Sequence, residues 1–300
     1  MEWAYSPNTS PMIKMSLAHP MQKIQDWVTQ QWVIFFGRKI DIKNDDWLMG
    51  PFGNLKVIDK NYIDQLAKLE NLIIDTTSEI YGLIPVMSQL LLSPHEYARL
   101  SPKIIDFYEQ TTRYELNFSV KWNSFFKVFG LLLKKLFSAR LNQLNIPNYD
   151  IQSPESISSE IVRLLDAKTN QIKYVFWLRT ITSTDEGIYS GAYGICQLPC
   201  GTSCIKAVFP LPHGNATVIM TPKVGVNGEL ILNSSGQKFG DAGFYFLLKD
   251  AKGQHWSKYI RSFRDELIIN ETDKQLTAKQ TLTLWNLNVL KFNYEMFQKQ

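Results

Sequence analysis

Cysteine is scarce in this chain, with three in 300 residues, all between Cys196 and Cys204. A disulfide framework uses an even number of cysteines spread through a short chain, so none is expected here. Net charge is small as well: 32 basic against 28 acidic side chains give +4. That excess is too slight to imply a nucleic-acid partner unless it is clustered on one surface. Long apolar runs are missing too. The windows around residues 32–36, 83–92 and 125–137 are interrupted by Lys, Arg, Pro or polar residues before reaching the ~20 residues that span a bilayer. The first 22 residues offer no apolar stretch of seven or more behind a basic start, so a secretory leader is not expected and a cytoplasmic location is. Walker A, G-x-G-x-x-G, G-x-S-x-G and H-E-x-x-H patterns are all lacking, and no cofactor is expected.

What the chain does hold is an ordinary globular composition, 45% apolar and 20% charged, at a length that allows two domains. Its character changes near residue 148. Residues 1–150 carry five of the 16 glycines and residues 151–300 the other eleven, and the apolar period shifts at the same place. In the first half, Ile24, Trp27, Val28, Trp32 and Phe35 recur at helical steps, as do Tyr62, Ile63, Leu66, Leu69 and Ile73 behind the N-cap candidate Asp59. Each stripe is expected to face a core. Ser93-Pro94-His95-Glu96 reads as a capping box with proline at the first helical position, and Ser101-Pro102 repeats the signal after a break at Leu100.

The second half reads as strands. After a serine-rich connector at 152–159, the runs 159–165, 173–182, 188–196, 204–211, 216–221, 229–233, 244–249, 256–269, 276–285 and 289–297 are separated by Gly, Asn and Asp turn signals. With no helical pattern between them, an antiparallel meander is favoured over βαβ units. The expected fold is therefore α+β: a mainly helical region, 1–148, packed on an antiparallel β domain, 149–300. That domain is expected to be a barrel or a strongly curved sheet, because open edges are a liability.

Four local features bear on function. Cys196, Cys200 and Cys204 stand at equal spacing, with His213 beyond them. These four are a conceivable zinc set, but the second knuckle usual for such sites is missing, and a hairpin that sets Cys196 opposite Cys204 is the simpler reading. Arg261 and Asp265 share a phase with Tyr259 and Phe263 if 256–269 is one strand; a surface ion pair is preferred to an interior one, since buried ions are costly. Aromatic residues are plentiful on the strands, and Trp177, Tyr193, Tyr245 and Tyr259, with Arg261, are the candidate ligand contacts.

The fourth feature is a stretch from Leu116 to Tyr149 without one acidic residue but with Lys121, Lys127, Lys134, Lys135 and Arg140. Trp122, Phe125, Phe129, Leu132, Leu136 and Phe137 recur there at helical steps, which predicts a basic amphipathic helix. Trp122, Phe125, Lys127, Phe129, Lys134 and Lys135 are its candidate contacts with a membrane surface, or with the barrel as a lid. The leading expectation is a non-enzymatic binding module for a lipid or other apolar small molecule held in a β-domain cavity, peripheral to a membrane. A cyclase-, isomerase- or hydrolase-like enzyme in the same cavity and a protein-interaction scaffold are the alternatives.

Overall fold

The alternating strands of the second half, joined by one strand of the first, build a closed barrel. The computed structural model describes residues 24–53, 58–123, 150–188, 190–273 and 275–299. Along the chain come α1 (Ile24–Phe36), β1 (Arg38–Ile40), α2 (Lys60–Glu70), β2 (Leu72–Ile74), α3 (Pro94–Arg99), α4 (Pro102–Glu109) and β3 (Tyr114–Trp122). They are followed by β4 (Ile151–Asp166), β5 (Ile172–Ile181), β6 (Glu186–Gly187), β7 (Gly191–Gln197), β8 (Ser203–Leu211) and β9 (Gly214–Val224). The set ends with β10 (Leu230–Asn233), β11 (Gly243–Lys249), β12 (His255–Tyr259), β13 (Phe263–Thr272), β14 (Gln275–Leu284) and β15 (Leu287–Gln298).

Ten of these strands form a closed antiparallel ring in the order β9-β10-β13-β14-β15-β3-β4-β5-β7-β8, with β8 returning to β9. Closure leaves no free edge in the ring itself. One side of β9 is shared between two neighbours. Its Gly214–Ile219 stretch pairs with β11 and its Thr221–Val224 stretch with β10, so β11, β12 and β1 continue outward as a separate flap.

The barrel draws strands from both sides of residue 148, because β3 pairs with β15 and with β4. Two expectations change with it. The serine-rich stretch expected as a connector lies within β4, and its Pro154 falls where the β3–β4 register shifts between Phe118 and Val120. A bulge tolerates the missing N–H of proline. The run read as one strand over 256–269 is broken after Tyr259, so Arg261 and Asp265 do not share a strand.

The helices of the first half follow their caps. Asp59 accepts from the Tyr62 N–H at 2.9 Å, and Ser93 with Glu96 forms the reciprocal capping box ahead of Pro94. On α1 the expected stripe is rotated: Val33 and Ile34 are buried, whereas Val28, Trp32 and Phe36 are exposed. The segment from Tyr81 to Tyr108 forms a plug whose Leu83, Ile84, Met87, Ile104, Phe107 and Tyr108 join the barrel core. Backbone contacts fasten it. Tyr108 O accepts from the Ile84 N–H at 3.1 Å, and Thr111 Oγ1 accepts from the Leu83 N–H at 3.2 Å. At Gly82 an added Cβ would come within 2.2 Å of Tyr108 O, so only glycine lets the two segments approach this closely.

Candidate functional site

Inward-facing positions of small barrels are ordinarily filled by apolar side chains. Here the apolar phase of three strands is broken by a polar residue. On β5, Arg179 is in phase with Val175, Trp177 and Ile181; on β13, Asp265 with Phe263, Leu267 and Ile269; on β14, Gln280 with Leu276, Ala278 and Leu282. The period of two sends all three inward. With Tyr193 of β7 and Tyr294 of β15 they line an interior cavity of about 130 Å³. The rest of its wall is aliphatic and aromatic, including Trp177, Phe209, Val218, Met220, Phe244 and Phe263, and the plug contributes Leu83 and Tyr108.

The polar groups form two linked sets. Arg179 Nη2 donates to the Tyr193 hydroxyl at 2.8 Å, and its guanidinium lies over the Trp177 ring, 4.1 Å from the centroid. Trp177 is held by its own Nε1, which donates to Ser159 Oγ at 2.6 Å. Opposite, Gln280 Nε2 donates to Asp265 Oδ2 at 2.7 Å, and the Tyr294 hydroxyl donates to Gln280 Oε1 at 3.3 Å. The Asp265 backbone is fixed through Ser234, whose Oγ accepts from its N–H at 2.7 Å and whose N–H donates to its carbonyl at 2.9 Å.

Asp265 is 5% exposed, and its Oδ1 is buried without a hydrogen-bond partner among the described residues. Burial pushes its carboxyl up to about 7, against the Gln280 hydrogen bond, which favours ionisation. Burial likewise raises the hydroxyls of Tyr193 and Tyr294, with Arg179 opposing it in both. The surface reading of Asp265 is thus overturned. A charge that enters the barrel in phase with its apolar neighbours is buried by the register, whatever its solvation cost.

The remaining sequence candidates separate. Trp177 and Tyr193 line the cavity. Tyr245 does not, because it is out of phase by one residue with Phe244, which does. Tyr245 and Tyr259 instead pack together outside the ring with ring centres 5.0 Å apart, and Trp47 lies 5.5 Å from Tyr245. Arg261 is exposed in the turn after β12 and donates to Gln237 Oε1 at 3.1 Å. Arg179, Gln280 and Tyr294 were not among the sequence candidates, although Arg179 and Gln280 carried a usable signal: a polar residue in the apolar phase of a strand.

The four conceivable zinc ligands do not come together, because His213 lies far from the three cysteines. Cys196 and Cys204 face each other across β7 and β8, both buried, with thiols raised by burial to about 11 and about 12. Cys200 is exposed at the hairpin tip, beside Thr202 Oγ1 at 3.2 Å. His213 lies past the other end of β8, nine residues from Cys204, or about 30 Å along an extended strand. Trp122 ends β3 opposite Leu290, and its N–H donates to Asp150 Oδ1 at 2.9 Å. It is therefore a strand residue and not the start of a helix, because the β3 alternation runs through it. Phe125, Lys127, Phe129, Lys134 and Lys135 lie outside the described residues.

Fold and site together define a closed ten-stranded antiparallel barrel with a plugged interior and an internal polar pole. The chain is similar to a Bacillus subtilis (strain 168) protein named "Uncharacterized membrane protein YndJ", at 25% identity over 232 residues, 76% of this chain. The chain spans 40% of the length of that relative. No family model and no solved structure matches it. Among the described residues no helix is long and apolar enough to cross a membrane.

Proposed function

We propose that the barrel is a binding module for a compact, largely apolar small molecule taken into its interior. The observation that carries this reading is the cavity of about 130 Å³, walled by aromatic and aliphatic side chains and holding a buried carboxylate oxygen with no partner among the described residues. Its volume is close to the ~150 Å³ of an engineered cavity that accepts benzene and below the ~300 Å³ at which drug-sized pockets begin. The ligand is thus of single-ring size, and a long acyl chain is too large for the space.

A cavity-filling substitution tests this. Ala278 lines the void from β14, and Ala278→Leu places a branched side chain into it. Toluene binding, followed by calorimetry, is expected to be lost in this variant while the far-ultraviolet spectrum of the barrel is retained. Undiminished toluene binding by a folded Ala278→Leu variant would overturn the reading.

The acid-free segment 116–149 adds a membrane surface to the proposal. Five cationic side chains without one carboxylate favour anionic lipid headgroups, and the name of the Bacillus relative, a membrane protein, is in keeping with such a location. In flotation assays the chain is expected to rise with vesicles containing phosphatidylserine and to remain behind with phosphatidylcholine alone. Equal behaviour with both would remove this part of the proposal.

A further inference from the structure

The proposed binding reading leaves open what kind of molecule the cavity takes, and the polar pole answers in chemical terms. We infer that the ligand is a neutral, ring-sized molecule carrying a hydroxyl or N–H group, with its apolar body against the cavity wall and its donor on Asp265 Oδ1. This inference rests on the cavity being a binding site.

Three observations carry it. First, Asp265 Oδ2 is occupied by Gln280 Nε2 at 2.7 Å, whereas Oδ1 of the same buried carboxylate has no partner among the described residues. A buried acceptor left unmatched is unfavourable, and a ligand donor removes that deficit. Second, the cavity already contains one cationic and one acidic side chain, Arg179 and Asp265. With Asp265 ionised the two charges offset each other, and a ligand with net charge would then leave an excess charge in a largely apolar interior, so under those conditions a neutral one is selected. Third, the acceptor is fixed before any ligand arrives. Ser234 brackets the Asp265 backbone through its N–H and its hydroxyl, and the Tyr294–Gln280 pair orients the carboxylate from β15 and β14.

A consequence is proton linkage. A ligand donor stabilises the ionised carboxylate, so binding tightens as Asp265 loses its proton. The other groups facing this space are Arg179 from β5, Tyr193 from β7, Tyr294 from β15 and Tyr108 from the plug; Glu266 follows in the chain on the exposed face of β13. Arginine stays charged between pH 5 and 8, and burial raises all three tyrosines, which stay neutral there.

The test compares phenol with toluene, which match in size and differ in the donor. Binding of each is measured by calorimetry at pH 5 and pH 8 on the full chain. Phenol is expected to bind at least about tenfold more tightly than toluene at pH 8 and to lose about tenfold of its affinity at pH 5, with toluene unchanged. In Asp265→Asn the amide NH₂ takes the place of Oδ1, so the phenol preference and its pH dependence are expected to disappear. Should that variant fail to fold, carbon-13 NMR of the wild-type Asp265 carboxyl supplies the same answer: phenol lowers its titration midpoint and toluene does not. Equal, pH-independent binding of both probes would overturn the donor inference while leaving the cavity reading intact. Binding of neither would overturn the cavity reading and this inference with it.

Discussion

Phe107→Ala is expected to lower the unfolding free energy by about 3–5 kcal/mol, the range for removing a buried phenylalanine ring from a packed core. Phe107 is 4% exposed and is the point where the plug meets the barrel. Its ring sits edge-on to Tyr108 at 5.5 Å, Tyr114 at 5.3 Å and Trp177 at 6.4 Å. Tyr108 is its neighbour on α4, while Tyr114 and Trp177 lie on β3 and β5, so one truncation weakens two junctions of the plug with the barrel at once. Trp177 and Tyr108 also line the cavity. The loss is read from the shift of the urea midpoint at unchanged slope. Amide exchange is expected to quicken first at Leu83 and Ile84, whose N–H groups bond to Thr111 and Tyr108. A destabilisation below about 1 kcal/mol would show that the plug is not packed against the barrel in this way.

Asp265→Asn is expected to stabilise the chain at pH 8 and to change little near pH 4. The Asp265 carboxyl rises from an ordinary value of 3.8 to about 7 on folding, so the folded state holds this proton more tightly than the unfolded state does. The resulting stability is fully present below about pH 4 and is lost as pH rises through 7. A difference of roughly three pKa units corresponds to something on the order of 4 kcal/mol, as an upper bound. Asparagine removes the charge but keeps an oxygen that can accept from Gln280 Nε2. Urea unfolding of wild type and variant between pH 4 and 8 checks the sign: their stabilities should diverge with rising pH, the variant becoming the more stable. Parallel profiles would mean that Asp265 is not desolvated in the folded chain.

These two residues show how far the sequence could be read. Phe107 follows Ser101-Pro102, a cap signal that fixes where α4 begins, and local chemistry suffices for that. Its ring partner Trp177 is on β5, seventy residues away, and is reached only by long-range pairing. Asp265 carried a local signal, being in phase with Phe263, Leu267 and Ile269. That signal was obscured because 256–269 reads as one run, in which Arg261 is a plausible partner. The break after Tyr259 removes Arg261 to an exposed turn. Tyr245 illustrates the complementary error. Aromatic content marks the strand, but a shift of one residue decides which face meets the cavity, and that face goes to Phe244.

The features that can be read locally are those that depend on near neighbours. These include the caps at Asp59, Ser93 and Ser101, the turns between most strands, and the antiparallel β-rich character of the second half. Each is governed by backbone preferences and side-chain bonds within a few residues. Long-range pairing brings β3 into the ring from the first half, shares β9 between β10 and β11, and makes Arg179, Tyr193, Asp265, Gln280 and Tyr294 meet inside it. Ring closure and register set which strands are neighbours and which phase points inward. Those are properties of pairings between distant segments, and no local window contains them.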